Sequence, residues 1–253
     1  MYAPERHQQI LQAARTHGRV DVSGLAKTFA VTPETVRRDL TALERRGVLR
    51  RVHGGAIPVE RLSMEPDVAN REGRATAEKR RIALAALDEL PEGGSVIIDA
   101  GTTTARLAEV LPTDRELTVV THSIPLAAML ATRRNVHLHL LGGYVRPRTL
   151  AAVGDWTTRQ LQDVFADVAF MGTNGISVER GLTTPDRAEA TVKRALIGSA
   201  RRTVVLADHT KFGREDFAVF ASLAVVDTII TDDALDPDLA AEVERAGPRM
   251  VLA

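Results

Sequence analysis

The chain has 253 residues, 44% of them hydrophobic and 26% charged, with no cysteine and a formal net charge of zero. Such a composition suits one large or two smaller globular domains and excludes disulfide frameworks and thiolate metal sites. The amino-terminal stretch is broken by charges every few residues and no run approaches the roughly 20 apolar residues of a membrane helix, so the expectation is a cytoplasmic protein with no membrane partner.

The neutral total hides a division. Through Ile57 the basic residues Arg6, Arg15, Arg19, Lys27, Arg37, Arg38, Arg45, Arg46, Arg50 and Arg51 face only Glu5, Asp21, Glu34, Asp39 and Glu44. That is ten against five, a surplus of five positive charges that the remainder must offset. A basic head on an acidic body suits attraction to a phosphate backbone at one end, although an ordinary solvated basic face has the same composition.

The head reads as three helices and a hairpin. Ile10, Leu11, Ala13 and Ala14 give a first helix its apolar stripe, after Pro4 and before Gly18. A second runs from about Val22 to Ala30 and carries Leu25, Ala26 and Phe29. Val31-Thr32-Pro33-Glu34 then signals a helix start: a capping hydroxyl, a proline with φ already set, and an acid at the positive helix end. This third helix is expected to run to about Arg46 and stop at Gly47, burying Val36, Leu40 and Leu43. Its other face shows Glu34, Arg38, Thr41 and Arg45, with Arg37 at the edge, residue types that read base edges or hold phosphates. Val48 to Val52, a turn at His53-Gly54-Gly55, and Ala56-Ile57 form a wing with Arg51 and His53 near its tip.

Residues 58–75 lose periodicity and read as a charged linker. Over 76–253 apolar strands alternate with helices, which predicts an α/β domain with a mostly parallel sheet. The strands fall at Ser95–Ile98, Leu117–Val120, Val136–Leu140, Val168–Met171, Thr203–Leu206 and Val225–Ile230, with an edge strand at Met250–Leu252. The helices fall near 76–90, 105–110, 125–132, 155–165, 186–200 and 236–246.

The most informative stretch of this domain is Asp99-Ala100-Gly101-Thr102-Thr103-Thr104-Ala105, at the carboxyl end of a buried strand and the opening of a helix. Free amides and hydroxyls there suit an anion. It is neither a P-loop nor a dinucleotide fingerprint, and a threonine-rich helix start is also an ordinary cap. Thr121-His122-Ser123, Leu141-Gly142-Gly143 and Gly172-Thr173-Asn174-Gly175 follow strands and gather at the same edge, or are simple turns. Glu189 and Lys193, four apart on a helix, read as site residues or as a surface salt bridge. Asp208 suits sugar hydroxyls and Lys211 a phosphate or carboxylate.

Taken in order, these segments resemble the DeoR family of bacterial regulators. In the head the resemblance rests on Arg6–Ile10, Val31–Leu40, Leu43–Gly47 and Arg51–Ala56. In the body it rests on Asp99–Thr103, Gly142-Gly143, Gly181–Thr184 and Ala207–Gly213. The resemblance implies a winged helix-turn-helix repressor whose sensor domain is similar to the ribose-phosphate isomerase group of folds. It further implies operator DNA as partner, homo-oligomers, and a phosphorylated sugar or related intermediate as effector, with no metal or other cofactor. Carried onto this chain, Thr32, Thr35, Arg37, Arg38 and Thr41 approach DNA from the third helix, and Arg51 and His53 from the wing. Asp99, Gly101, Thr102, Thr103 and Thr104 form the effector cradle with Gly142 and Gly143, to which Glu189, Lys193, Asp208 and Lys211 are added. His209-Thr210 departs from the paired serines of many relatives.

Two other readings stay open at this level. Asp99, Glu189, Asp208 and Lys211 are the residue types of a sugar-phosphate isomerase, which would make the chain an enzyme with an accessory head. A helix-turn-helix that binds protein is the other.

Overall fold

The computed structural model describes residues 3–45, 48–52, 54–58 and 67–253, and the chain separates into two units, Met1–Glu65 and Pro66–Ala253. In the first, α1 (Ala3–His17) leads through β1 (Val20–Asp21) into α2 (Val22–Phe29) and α3 (Pro33–Arg45), followed by β2 (Leu49–Val52) and β3 (Gly55–Pro58). Asp21 caps α2 through the Gly24 amide at 2.6 Å, and Thr32 accepts from the Thr35 amide at 3.2 Å. Ile10, Ala14, Leu25, Val36, Leu40, Leu43 and Leu49 are buried together, the stripes that helical spacing places inward. Sequence reading misses β1, which at two residues has no period to detect. It pairs with β3 in an antiparallel sheet of order β1-β3-β2. At Gly55 a side chain is impossible without movement, since a Cβ would lie 2.0 Å from the Val20 carbonyl oxygen. The expected stop at Arg46-Gly47 and the wing tip at His53 lie outside the described residues.

The second unit opens with α4 (Val68–Glu72) and α5 (Thr76–Ala85). The aperiodic stretch read as linker thus contains a helix, five residues long and capped by Asp67. The helix expected over 76–90 ends at Ala85 and tightens into a 3-10 turn at Ala86–Glu89. Then follow β4 (Gly94–Ile98), α6 (Thr102–Val110), β5 (Leu117–Thr121), α7 (Ile124–Leu130), β6 (Val136–Leu140), β7 (Tyr144–Arg146), β8 (Ala151–Val153), α8 (Asp155–Leu161) and β9 (Ala166–Met171). The chain continues with β10 (Gly175–Ser177), β11 (Gly181–Thr184), α9 (Arg187–Gly198), β12 (Ala200–Leu206), β13 (Ala218–Ala221), β14 (Thr228–Thr231), α10 (Pro237–Arg245) and β15 (Arg249–Leu252).

Seven of these strands form one sheet of order β15-β14-β12-β9-β4-β5-β6, and every pair in it is parallel. One apolar cluster, with Ile97, Met171, Leu196 and Val205, covers one face, and another, with Ile82, Ile98, Leu107 and Phe170, covers the other. Burial on both sides is why these strands read as continuous apolar runs. The short strands β10-β11-β13 and β7-β8 form two small antiparallel sheets. The strand predicted over Val225–Ile230 begins only at Thr228, because Leu223–Val225 is a 3-10 turn. Trp156 and Tyr144 stand 75% and 69% exposed. Among the described residues no helix is long and apolar enough to cross a membrane.

Candidate functional sites on the head and the body

On α3 the sides divide as the stripe requires. Val36, Leu40 and Leu43 are buried, whereas Glu34, Arg37, Arg38 and Arg45 are exposed and Thr35 and Thr41 half-buried. The helix is pinned from behind by Asp39, whose carboxylate receives Arg6 Nε at 2.5 Å and Nη2 at 3.0 Å and lies 2.9 Å from His7 Nε2. Burial alone would raise the Asp39 pKa, but the hydrogen bonds from Arg6 and His7 outweigh it and hold the carboxyl below its usual range. The wing is tied to the far end of α3, where the Arg51 amide donates to Glu44 at 2.9 Å and its guanidinium to the Thr41 hydroxyl at 3.3 Å. Arg37 pairs with exposed Glu34 at 3.3 Å. Thr32, Thr35, Arg37, Arg38, Thr41 and Arg51 therefore belong to one α3–wing assembly; His53 is outside the described residues.

In the body, the strand–helix junctions at the carboxyl edge of the sheet meet around Asp99. This residue is fully buried. Its Oδ1 accepts from the Ala100 amide at 2.8 Å and lies 2.9 Å from His122 Nε2; its Oδ2 accepts from the Gly172 amide at 2.9 Å and from Lys193 Nζ. His122 Nδ1 in turn lies 2.8 Å from the Ala152 carbonyl, and Lys193 also donates to the Gly172 carbonyl at 2.9 Å. Burial pushes the Asp99 carboxyl up, but the Lys193 charge and His122 more than reverse this, leaving it at about 2.

Above this floor α6 begins without a side-chain cap, since its N-cap is Gly101. The first helical amides have no intrahelical acceptor. Thr104 is buried and donates to the Gly101 carbonyl at 3.0 Å, and Thr103 is 8% exposed, while Thr102 and Gly101 are more open. The loop after β12 contributes Lys211. Burial pushes its ammonium down to about 8; Asp208 opposes the shift, and Arg214, Arg71 and Lys79 add to it. Positive charge is thus crowded beside one carboxylate.

Several expectations about individual residues change. Asp99 offers no free oxygen to a ligand, because both are engaged within the protein. Glu189 and Lys193 are not a surface pair: they are 3% and 2% exposed and turn to different partners. Glu189 accepts from Arg146 Nη1 at 2.9 Å and from the Thr184 hydroxyl at 3.0 Å. Gly142 and Gly143 serve the packing of α8. The Gly142 amide donates to Gln160 at 3.2 Å and its carbonyl receives Thr157 at 2.9 Å. At Gly143, with φ +156°, a Cβ would lie 2.2 Å from Thr157 Oγ1. Asp208 caps the following 3-10 turn, taking the Thr210 amide at 3.1 Å and the Thr210 hydroxyl. His122 and Arg146 carry the floor, yet the sequence places His122 only within a loop at the ligand edge or a simple turn, and gives no sign of Arg146. No local pattern marks either, since their partners lie 23 and 43 residues away.

Comparison with known proteins gives two family matches, the DeoR-like helix-turn-helix domain over residues 6–61 and the DeoR C terminal sensor domain over residues 74–233. The chain is 39% identical to the HTH-type transcriptional regulator GlpR of Haloferax volcanii, covering 99% of this chain and 98% of that one. It is 38% identical to the uncharacterized HTH-type transcriptional regulator FruR of Bacillus subtilis, covering 92% of each. The glycerol-3-phosphate regulon repressor of Escherichia coli (strain K12) is 32% identical over 92% of each chain. Among solved structures, ribose 5-phosphate isomerase A of Methanocaldococcus jannaschii overlaps 55% of each chain at 16% identity with a TM-score of 0.39.

Proposed function

The chain belongs to the DeoR family of helix-turn-helix transcriptional regulators, and from that premise we propose that it is a repressor of sugar or related carbon catabolism genes, released from its operator by a phosphorylated small metabolite. The observation that carries this reading is the uncapped start of α6, opening at the carboxyl edge of a parallel sheet with the Thr102 and Thr103 hydroxyls beside it. Helix-start amides favour a phosphate. The Lys211 cluster supplies positive charge on the same body, and Asp208 and Thr210 fix the loop that holds it. In this reading Asp99, His122 and Lys193 act from below: they hold the junctions after β4, β5 and β9 in place without touching the ligand. Glu189 steadies the start of α9, and Gly142 and Gly143 set the neighbouring loop. The name of one relative as the glycerol-3-phosphate regulon repressor accords with a catabolic effector.

On DNA, α3 enters the major groove with Arg38 and Arg37 toward bases or phosphates, Thr32, Thr35 and Thr41 lining the approach, and Arg51 and His53 following the backbone. A homo-oligomer presents two such heads to a symmetric operator. Mobility shifts on the upstream region of the gene test the whole scheme. Arg38→Ala is expected to abolish operator binding and leave the thermal midpoint of the protein unchanged. Thr103→Asp is expected to retain operator binding but no longer release DNA when phosphorylated sugars are added. A Thr103→Asp protein that releases normally would place the effector elsewhere.

A further inference from the structure

Helix α4 is the first element after the stretch that joins head to body, and it is built into the body at several points. The Val68 amide donates to the Arg148 carbonyl at 2.9 Å. Glu72 lies 3.8 Å from Arg106 of α6. From α5, buried Lys79 reaches back and donates to the Arg71 and Arg74 carbonyls at 2.7 and 2.6 Å. These contacts fix the backbone of α4 and make no use of the Arg71 side chain. Arg71 is half-buried, and its Nε is buried with no hydrogen-bond partner among the described residues. Nor does its guanidinium form an ion pair among the described residues. A buried donor left unmatched costs free energy and calls for an acceptor. Arg71 also lies close enough to Lys211 and to Lys79 to disfavour a proton on each. Among the described residues, Asp208 is the one carboxylate that acts on both lysines, and cations gathered in this way attract an anion.

We propose that Arg71 is part of the effector site: its guanidinium grips the phosphate together with Lys211, so that α4 itself is a wall of the site and registers occupancy. This rests on the reading of the body as a phosphate sensor and extends it to the segment through which a signal must leave. A guanidinium fork matches phosphate oxygens at two points, whereas an ammonium supplies only a point charge. A ligand held by Arg71 immobilises the helix that directly follows the joining stretch. Its binding energy is then spent on the element nearest in sequence to the head, as coupling between two sites requires.

The test uses the full chain and inorganic phosphate as probe, with calorimetric titration at constant ionic strength and amide hydrogen exchange across residues 67–74. Arg71→Ala removes no contact of Lys79, because those contacts go to backbone. It is expected to weaken phosphate binding about tenfold or more, with Arg71→Lys between it and the parent chain. Arg80→Ala, on an exposed arginine of the next helix, controls for lost charge and is expected to bind as the parent does. Phosphate is expected to slow exchange in α4 of the parent chain and not of Arg71→Ala. If Lys211→Ala and Thr103→Asp lose phosphate while Arg71→Ala binds within twofold of the parent, the assignment of Arg71 is overturned and the sensor reading stands. If all three bind as the parent does, or the parent itself does not bind, both are overturned.

Discussion

In the proposed sensor, Lys211 is the residue that makes effector recognition most open to pH. Burial holds its ammonium at about 8 in the free protein, and a lysine carries its charge only below that value. Affinity for a phosphorylated ligand is therefore expected to be full near neutrality and to fall as pH rises through about 8, and Lys211→Ala should lose that upper limb. Titrating ligand binding between pH 6.5 and 9.5 checks this. For Asp99 the sign is opposite. Its folded value of about 2 lies below the ordinary 3.8, so its ionised form stabilises the body above about pH 4, and that contribution is lost as pH falls toward 2. Asp99→Asn leaves the buried Lys193 charge without its partner and is expected to cost about 3–5 kcal/mol in denaturant unfolding, whereas Asp99→Asn combined with Lys193→Met costs less than the two single changes added. Sequence alone marks both residues as candidates by type, but nothing in it shows that they face each other across 94 positions.

Among the elements, α3 depends on a buried partner in α1. Asp39 and Arg6 form a buried two-point pair between α3 and α1, and removing Asp39 takes away the carboxylate that receives both Arg6 Nε and Nη2. Asp39→Ala is expected to lower the stability of the head by about 3–5 kcal/mol and to abolish operator binding with it. Arg38→Ala, by contrast, is expected to change affinity alone, so unfolding curves separate the two. Length decides which elements could be read in advance. The strands of the main sheet and the helices between them show their period or their apolar run. The three-residue strands β7, β8 and β10 and the five-residue α4 are too short to show either, and their places are set by contacts distant in sequence. Likewise the cap of α3 is legible because Thr32 and Thr35 are neighbours. The clamp on Asp39 is not.

Over the whole molecule, the positive surplus of five charges through Ile57 meets an equal deficit in the remainder. The body is repelled by a polyanion while the head is drawn to it, which favours head-first encounters. Operator affinity should fall steeply with added salt, and Arg51→Ala should reduce the slope of log affinity against log salt by about 1 if Arg51 holds one phosphate. Filter binding over a range of potassium chloride concentrations measures it. The chain's lone tryptophan offers a further reading of this division. Trp156 is largely exposed at the start of α8, and the head has no tryptophan, so tryptophan emission, excited selectively over tyrosine, comes from one half of the protein only. Free in dilute solution the indole should emit at long wavelength and be quenched readily by iodide. A blue shift that grows with protein concentration would mean that another subunit has covered it, and the fluorimeter would then count copies without any label.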